Sequence, residues 1–419
     1  MTTVVVGHVL GPILGPILGL AGAAAPVIPG AGTAGVATLL ADAEVGSTLT
    51  LSWTTDVLSA WDGTEQRASV GGPMPRQRYE FAALLTDAQQ RAAHGVLARL
   101  SAGAPLFSLG LVHEALTVVA STSSSITTHG LTLCDWATPG QRVVAVSPAG
   151  VVSPLAVVQS ASTPDITVDV DLSAYATAGA RIMPAMSIRL DPDQPISRHQ
   201  TALGRWSLAA RADRVRYGSA GTAGVGAAVT TFASLAVWDR GLDVDGLTDQ
   251  PLMTGAELVD LGGAISAIGD YTAPQWGRTI AMHSSSRADW QWFKAFLHVV
   301  RGRWKAFLVP TGRPDLVPVS LIANELIISG ADYVLDWYPS LAHRRLWLTY
   351  ADGTSAAFGV TSAEVVTAST QRLYLSASPA SLPVRVEFLE TVRLESDEVA
   401  IHLEATAFEA RMTARVVQG

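Results

Sequence analysis

Apolar positions in this chain recur with two periods. Between Ser286 and Gly302 the spacing is helical: Phe293, Phe296, Leu297 and Val300 share one face, and Ser286 stands where a cap belongs. Asp289 takes the acidic third position of a capping box, and Gly302 is the predicted stop. Directly afterwards, Arg303-Trp304-Lys305-Ala306-Phe307-Leu308-Val309 mixes long cationic and apolar side chains, which predicts a strand with one face on a core and one in water.

The pattern occurs twice. Thr86 and Gln89 form an earlier capping box, Ala93, Val96, Leu97 and Leu100 an apolar helix face, and Gly103 a stop before Leu106-Phe107-Ser108-Leu109. Phe293 corresponds to Ala93, Phe296 to Val96, Leu297 to Leu97, Val300 to Leu100 and Phe307 to Phe107. The register continues with Gly130 and Gly330, then with Asp135-Trp136 and Asp336-Trp337 after one inserted residue. Arg205 to Arg211 closes the first copy as Glu409 to Arg415 closes the second. Such a series implies an internal duplication of about 200 residues per copy, too long for a solenoid and right for a domain.

Short strands are predicted around each helix. In the first copy they are 48–58, a turn at Asp62-Gly63, and then 116–120, 141–146, 151–158, 165–171 and 182–190. The second copy offers Leu346 to Tyr350, Arg372 to Leu375, Val384 to Leu389 and Val399 to Glu404, with Arg385, Glu387, His402 and Glu404 expected on a solvated face. The fold class expected is mainly β: two tandem homologous domains, sandwich-like or barrel-like, each with one helix. Their predicted bounds are 42–217 and 229–419, joined by a Gly/Ala/Thr-rich linker at 218–228.

Residues 1–41 contain no Asp, Glu, Lys or Arg. They lack the cationic start of a signal peptide, and prolines at 12, 16, 26 and 29 would leave backbone groups unsatisfied in lipid. An extended apolar arm buried against another chain is the expectation. Gly30-Ala31-Gly32-Thr33-Ala34-Gly35 matches a dinucleotide fingerprint only formally, because Pro26 and Pro29 interrupt the strand that should precede it.

Charge changes the picture next. Only 15% of residues are charged, against about 25% in an average globular protein, so much of the surface is expected to be covered by protein. A net charge of −8 with no basic cluster argues against a nucleic-acid partner. The single cysteine, Cys134, allows no internal disulfide and reads as a small core residue.

Candidate chemistry is sparse. Asp169 with Asp171 and Asp243 with Asp245 are the carboxylate pairs a glycosidase would need, but no second element of such a site accompanies them. His94 and His298 lie within the predicted helices without a ligand partner at i+4, which favours packing or surface roles. Trp136 and Trp337 recur beside an Asp, as core or corner residues would. No catalytic, cofactor-binding or metal-ligating residue is therefore assigned, and no enzymatic activity is expected.

Two stretches carry a family resemblance. Trp53 to Leu58, Asp62-Gly63-Thr64-Glu65-Gln66-Arg67 and Pro75-Arg76 resemble the opening of tail proteins of tailed bacteriophages and gene transfer agents. Arg301-Gly302-Arg303-Trp304-Lys305-Ala306-Phe307 is similar to the run after the helix of distal tail proteins. The first copy has Ser101-Ala102-Gly103 in place of Arg-Gly-Arg, and the second lacks the Glu-Gln-Arg turn, so the resemblance is divided between the halves. It implies a structural virion protein of the tail tip, forming a homo-oligomeric ring that joins the tail tube protein to baseplate, hub or tail-fibre proteins. Three chains giving pseudo-six-fold symmetry are favoured over six. A carbohydrate-binding or glycan-cleaving tail protein is the alternative. Neither reading calls for a cofactor, nucleic acid or membrane insertion.

Overall fold

The computed structural model describes residues 38–40, 47–59, 65–70, 74–86, 107–131, 134–191, 196–200, 203–213, 228–241, 249–252, 256–260, 265–269, 275–330, 332–404 and 407–417. Over these residues the fold is mainly β. The N-terminal half contributes β1 (Thr38–Leu40), β2 (Ser47–Ser52), β3 (Thr55–Ser59), β4 (Glu65–Ser69), β5 (Arg76–Thr86), β6 (Phe107–Gly110) and β7 (Leu116–Ser121). It continues with β8 (Ser125–Thr128), β9 (Arg142–Val146), β10 (Ala156–Ser162), β11 (Asp165–Val168), β12 (Arg181–Leu190), β13 (Ile196–Gln200) and β14 (Leu203–Ala212).

The C-terminal half opens with the short β15 (Thr231–Phe232), then β16 (Leu235–Val237), β17 (Asp249–Leu252), β18 (Ala256–Asp260), β19 (Ile265–Gly269) and β20 (Gln275–Ser284). Helix α1 (Arg287–Val300) and β21 (Phe307–Pro310) follow. β22 (Val317–Ile322), β23 (Glu325–Ser329), β24 (Arg345–Thr349) and β25 (Ser355–Thr367) lead to β26 (Thr370–Leu375) and β27 (Arg385–Leu394). The chain ends on β28 (Glu398–Leu403) and β29 (Phe408–Val416).

The halves pair their strands in the same order. β1 runs parallel to β6 as β16 does to β21. β6 then pairs β12, β12 pairs β14 and β14 pairs β5, matched by β21 with β27, β27 with β29 and β29 with β20. β5 continues to β2 and β14 to β13, as β20 does to β17 and β29 to β28. The hairpins β3·β4 and β18·β19 correspond, and each unit carries a lobe, β7 to β11 or β22 to β26.

Individual residues keep the register. Phe107 lies opposite Ile188 and Phe307 opposite Val392, while Leu208 faces Phe81 as Met412 faces Ile280. Gly130 and Gly330 both hold positive φ, 79° and 110°, which a Cβ would strain. One apolar core runs through both halves, from Leu49 and Phe107 to Trp292, Phe307 and Ala414, and the C-terminal lobe has a second core around Leu326, Leu346, Leu373 and Val386.

Several expectations are corrected. Arg303 to Lys305 form a turn rather than the start of a strand, because Arg301 takes the left-handed conformation (φ 56°) and Gly302 repeats it (φ 62°). Arg301, not Gly302, is the capping residue, its N–H donating to the Leu297 carbonyl. The strand begins at Phe307 and all four of its residues are buried. Thr38–Leu40, read as part of an arm for another chain, pair with β6 of their own unit instead. Glu387, expected in water, is buried against Arg385 and the Gly312 N–H. Trp136 is buried, but Trp337 is 39% exposed and leans on His343 and Phe388. Residues 1–37, the first helix after Thr86, the Asp62-Gly63 turn, Asp243, Asp245 and nearly all of the linker lie outside the described residues.

Candidate assembly interface

Two seams join the halves, one made by backbone and one by charge. In the first, β2 of the N-terminal unit sits between its own β5 and β28 of the C-terminal unit. Antiparallel register runs from Ser47 opposite Leu403 to Ser52 opposite Glu398. Alternation explains why it holds: Leu49, Leu51, Val399, Ile401 and Leu403 all point into the common core, and a slip of one residue would turn every one of them outward. On the other face Thr48 Oγ1 meets His402 Nδ1 at 3.2 Å.

Asp397 finishes this seam. Its carbonyl accepts the Trp53 N–H at 3.0 Å, and its carboxylate accepts the Thr55 N–H and hydroxyl, each at 2.8 Å. The same carboxylate takes the Arg303 N–H at 2.9 Å, so one side chain ties the N-terminal unit to the turn that follows α1. Gly302 is required by this approach: a Cβ there would lie 2.6 Å from Asp397 Oδ1 and 2.9 Å from its Cα. Arg67 donates to the Arg303 carbonyl at 2.5 Å. The Glu-Gln-Arg and Arg-Gly-Arg segments, one from each half, therefore meet in space.

The second seam is the helix. Ser286 Oγ accepts the Asp289 N–H at 3.4 Å, but Asp289 does not return the bond directly. Its carboxylate takes the Ser284 hydroxyl at 2.8 Å, and Ser284 Oγ accepts the Ser286 N–H at 3.0 Å, a relayed form of the expected box. Beyond the cap, every residue from Trp290 to Leu297 is buried. One side packs on its own unit, where Trp292 and Phe296 meet Trp238 edge-on at 5.1 and 5.0 Å and Phe296 meets Phe307 at 5.1 Å.

The other side faces the N-terminal unit. Glu114, at the end of a helical turn after β6, is fully buried, and Lys294 Nζ stands 2.8 Å from it and 2.9 Å from Asp135. Trp290 Nε1 also donates to the Glu114 carboxylate, Arg287 approaches it at 3.5 Å, and Arg287 donates to the Ala115 carbonyl at 2.6 Å. Burial alone would raise the Glu114 carboxyl, but the Lys294 charge and these hydrogen bonds outweigh it and hold the group ionised, below its ordinary range. His113 lies edge-on to Trp290, 5.6 Å between rings, with Nε2 enclosed and without a hydrogen-bond partner. Burial brings its pKa down to about 4, and does the same for His298 further along α1. A cleft of about 310 Å³ opens at this seam, lined by His113, Arg181, Ser286, Arg287, Trp290 and Phe408 among others.

The residues singled out for chemistry do other things here. The Asp169 carboxylate accepts the Val157 N–H of β10 at 2.6 Å, and Asp171 accepts the Ser173 N–H within its own exposed turn at 2.9 Å. Cys134 is buried, and burial pushes its thiol up to about 12. Asp135 was notable only as a repeat marker, yet it shares Lys294 with Glu114. Glu114, Lys294 and Asp397 carry no motif. One signal was present for the helix: Trp290, Trp292, Phe293 and Phe296 cover more than a single stripe, as they must on a helix packed from two sides.

No known family model matches the chain, and none of the curated proteins does. Among the described residues no helix is long and apolar enough to cross a membrane, and no group of three or more His, Cys, Asp or Glu residues could hold a metal ion.

Proposed function

We propose that this chain is a structural ring-forming protein of a phage tail tip, in which two copies of one unit supply two neighbouring positions around an axis. The single observation that carries the reading is the joint between the halves. Like units meet through a continued sheet and a buried ion network, so a unit-to-unit contact of ring type is already built once inside each chain. Head-to-tail contacts between like units close into rings when the rotation allows. The low charge supports assembly as well, since a surface with 15% charged residues favours cover by protein.

Three chains would place six units in one ring, and six chains would stack two such rings. Three is the favoured state. The segments around Arg67 and Arg303 that resemble distal tail proteins support a place between the tail tube protein and the hub or baseplate. Native mass spectrometry tests the ring: about 131 kDa is expected for three chains of 43.8 kDa, and about 263 kDa for six. A chain that stays monomeric at assembly concentrations overturns the reading.

A further inference from the structure

The joint within the chain uses two sheet edges, and among the described residues their two counterparts in the repeat have no strand on the corresponding side. Among the described residues, β13 has β14 as its one strand neighbour and β17 has β20. Their equivalents are paired on both sides: β28 lies between β29 and β2, and β2 between β5 and β28. A free row of N–H and C=O groups on a strand is a template for another strand. We infer that β13 of one copy of this chain pairs antiparallel with β17 of the next, reproducing between chains the β28·β2 joint found within one.

The register follows from the repeat. Ile196 pairs Trp206 as Ile401 pairs Ala410, and Trp206 and Ala410 stand at the same place relative to Leu208 and Met412, the matched residues of β14 and β29. Leu49 pairs Tyr79 as Asp249 pairs Arg278, and these partners stand at the same place relative to Phe81 and Ile280. The observed Leu49·Ile401 pair therefore maps onto Asp249·Ile196 across the new joint. The two edges differ, so the contact is head-to-tail and each chain offers one of each kind, which permits a closed ring and not merely a dimer.

Pro251 sets the extent of this pairing. Trp53 donates its N–H across the inner joint to Asp397, so by alternation Leu51 and Leu49 also turn their main-chain polar groups toward β28. Pro251 stands at the Leu51 position, which leaves the bonds to β20 intact and removes one donor from the open edge. The intermolecular ladder is then confined to the Asp249 end of β17. Such an edge resists indiscriminate pairing, as proline on an edge strand generally does.

This inference rests on the ring reading, and one experiment separates the two. Chains carrying Ser197→Cys and chains carrying Gln250→Cys, the positions that correspond to His402 and Thr50 outside the core of the inner joint, are prepared apart, the native Cys134 being buried and its thiol shifted upward. They are mixed and treated with a short bismaleimide, while native mass spectrometry follows assembly. Chains with Thr48→Cys and His402→Cys serve as the control for a joint that closes within one chain. The expected result is a covalent dimer in the mixture and none from either variant alone. Intact multimers without cross-linked dimer would overturn the edge pairing and leave the ring reading standing. Cross-linking of either variant with itself would replace it by a two-fold contact, and failure of the unmodified chain to assemble at any concentration would overturn both.

Discussion

Lys294, on the helix of the C-terminal half, stands 2.8 Å from the carboxylate of Glu114, which lies 180 residues earlier in the chain and is fully buried. The pair joins the halves with Glu114 fully buried and the Lys294 side chain 9% exposed. Replacing Lys294 by Ala leaves the carboxylate with the Trp290 N–H and the more distant Arg287 charge, and the expected loss is about 3–5 kcal/mol of unfolding free energy. The double variant Lys294→Met, Glu114→Gln should lose less than that single change, because the fully buried carboxylate is neutralised together with its cation and only Asp135, at the edge of the network, keeps a charge that Lys294 had met. Urea unfolding followed by tryptophan fluorescence measures both.

Acid should weaken the same seam. His113 and His298 have folded pKa values of about 4, below the ordinary 6.5, so between these limits the unfolded chain binds more protons than the folded one. Stability is therefore complete above about pH 6.5 and falls as pH drops toward 4, with a further loss where the lowered Glu114 carboxyl at last takes its proton. The urea midpoint should shift downward from pH 7 to pH 5. Replacing both histidines by Gln should flatten that dependence, and an unchanged slope would remove them as its source.

At Gly302 the backbone argument can be tested on its own. Alanine there meets Asp397 and must hold φ near 62°, a left-handed conformation that costs about 1–2 kcal/mol for a residue with a Cβ. Asp397→Ala removes the acceptor of three bonds from Thr55 and Arg303. Since Asp397 is the group the new methyl would strike, the two losses should combine less than additively, by about 0.5–3 kcal/mol. Strict additivity in a double-mutant cycle would mean the turn relaxes away from Asp397.

Phe107 on β6 and Phe307 on β21 occupy matched places, 2% and 0% exposed. Truncation of either to Ala is expected to cost about 3–5 kcal/mol. Because one core runs through both units, each change should lower a single unfolding transition and not split it in two. Calorimetry distinguishes these outcomes.

How much of this was legible depended on which kind of residue carried it. The repeat was readable because its markers are residues with narrow options: Gly130 and Gly330 at positive φ, and Phe107 and Phe307 in enclosed sites. Alternating strands such as Arg372 to Leu375 and Val399 to Glu404 were readable because one buried face imposes a period of two. The interface was not. Lys294 looks like any polar residue on a helix flank, and Glu114 like any loop acid, until a partner nearly 200 positions away encloses them both. Glu387 misled for the same reason, an alternating strand giving no hint that the Gly312 loop would fold over its outer face.

The pairing of β2 with β28 has a consequence in time as well as in space. Thr48 and His402, which face each other across it, are 354 residues apart in sequence. At synthesis rates of about 5–20 residues per second, β2 leaves the ribosome roughly 20–70 s before the strand that completes it. Throughout that interval one side of β2 is uncovered, at the stage when an exposed edge is most prone to capture by another chain. The inner joint is thus among the last contacts a newly made molecule can form, and its closure marks the point at which the N-terminal half ceases to be a nascent fragment.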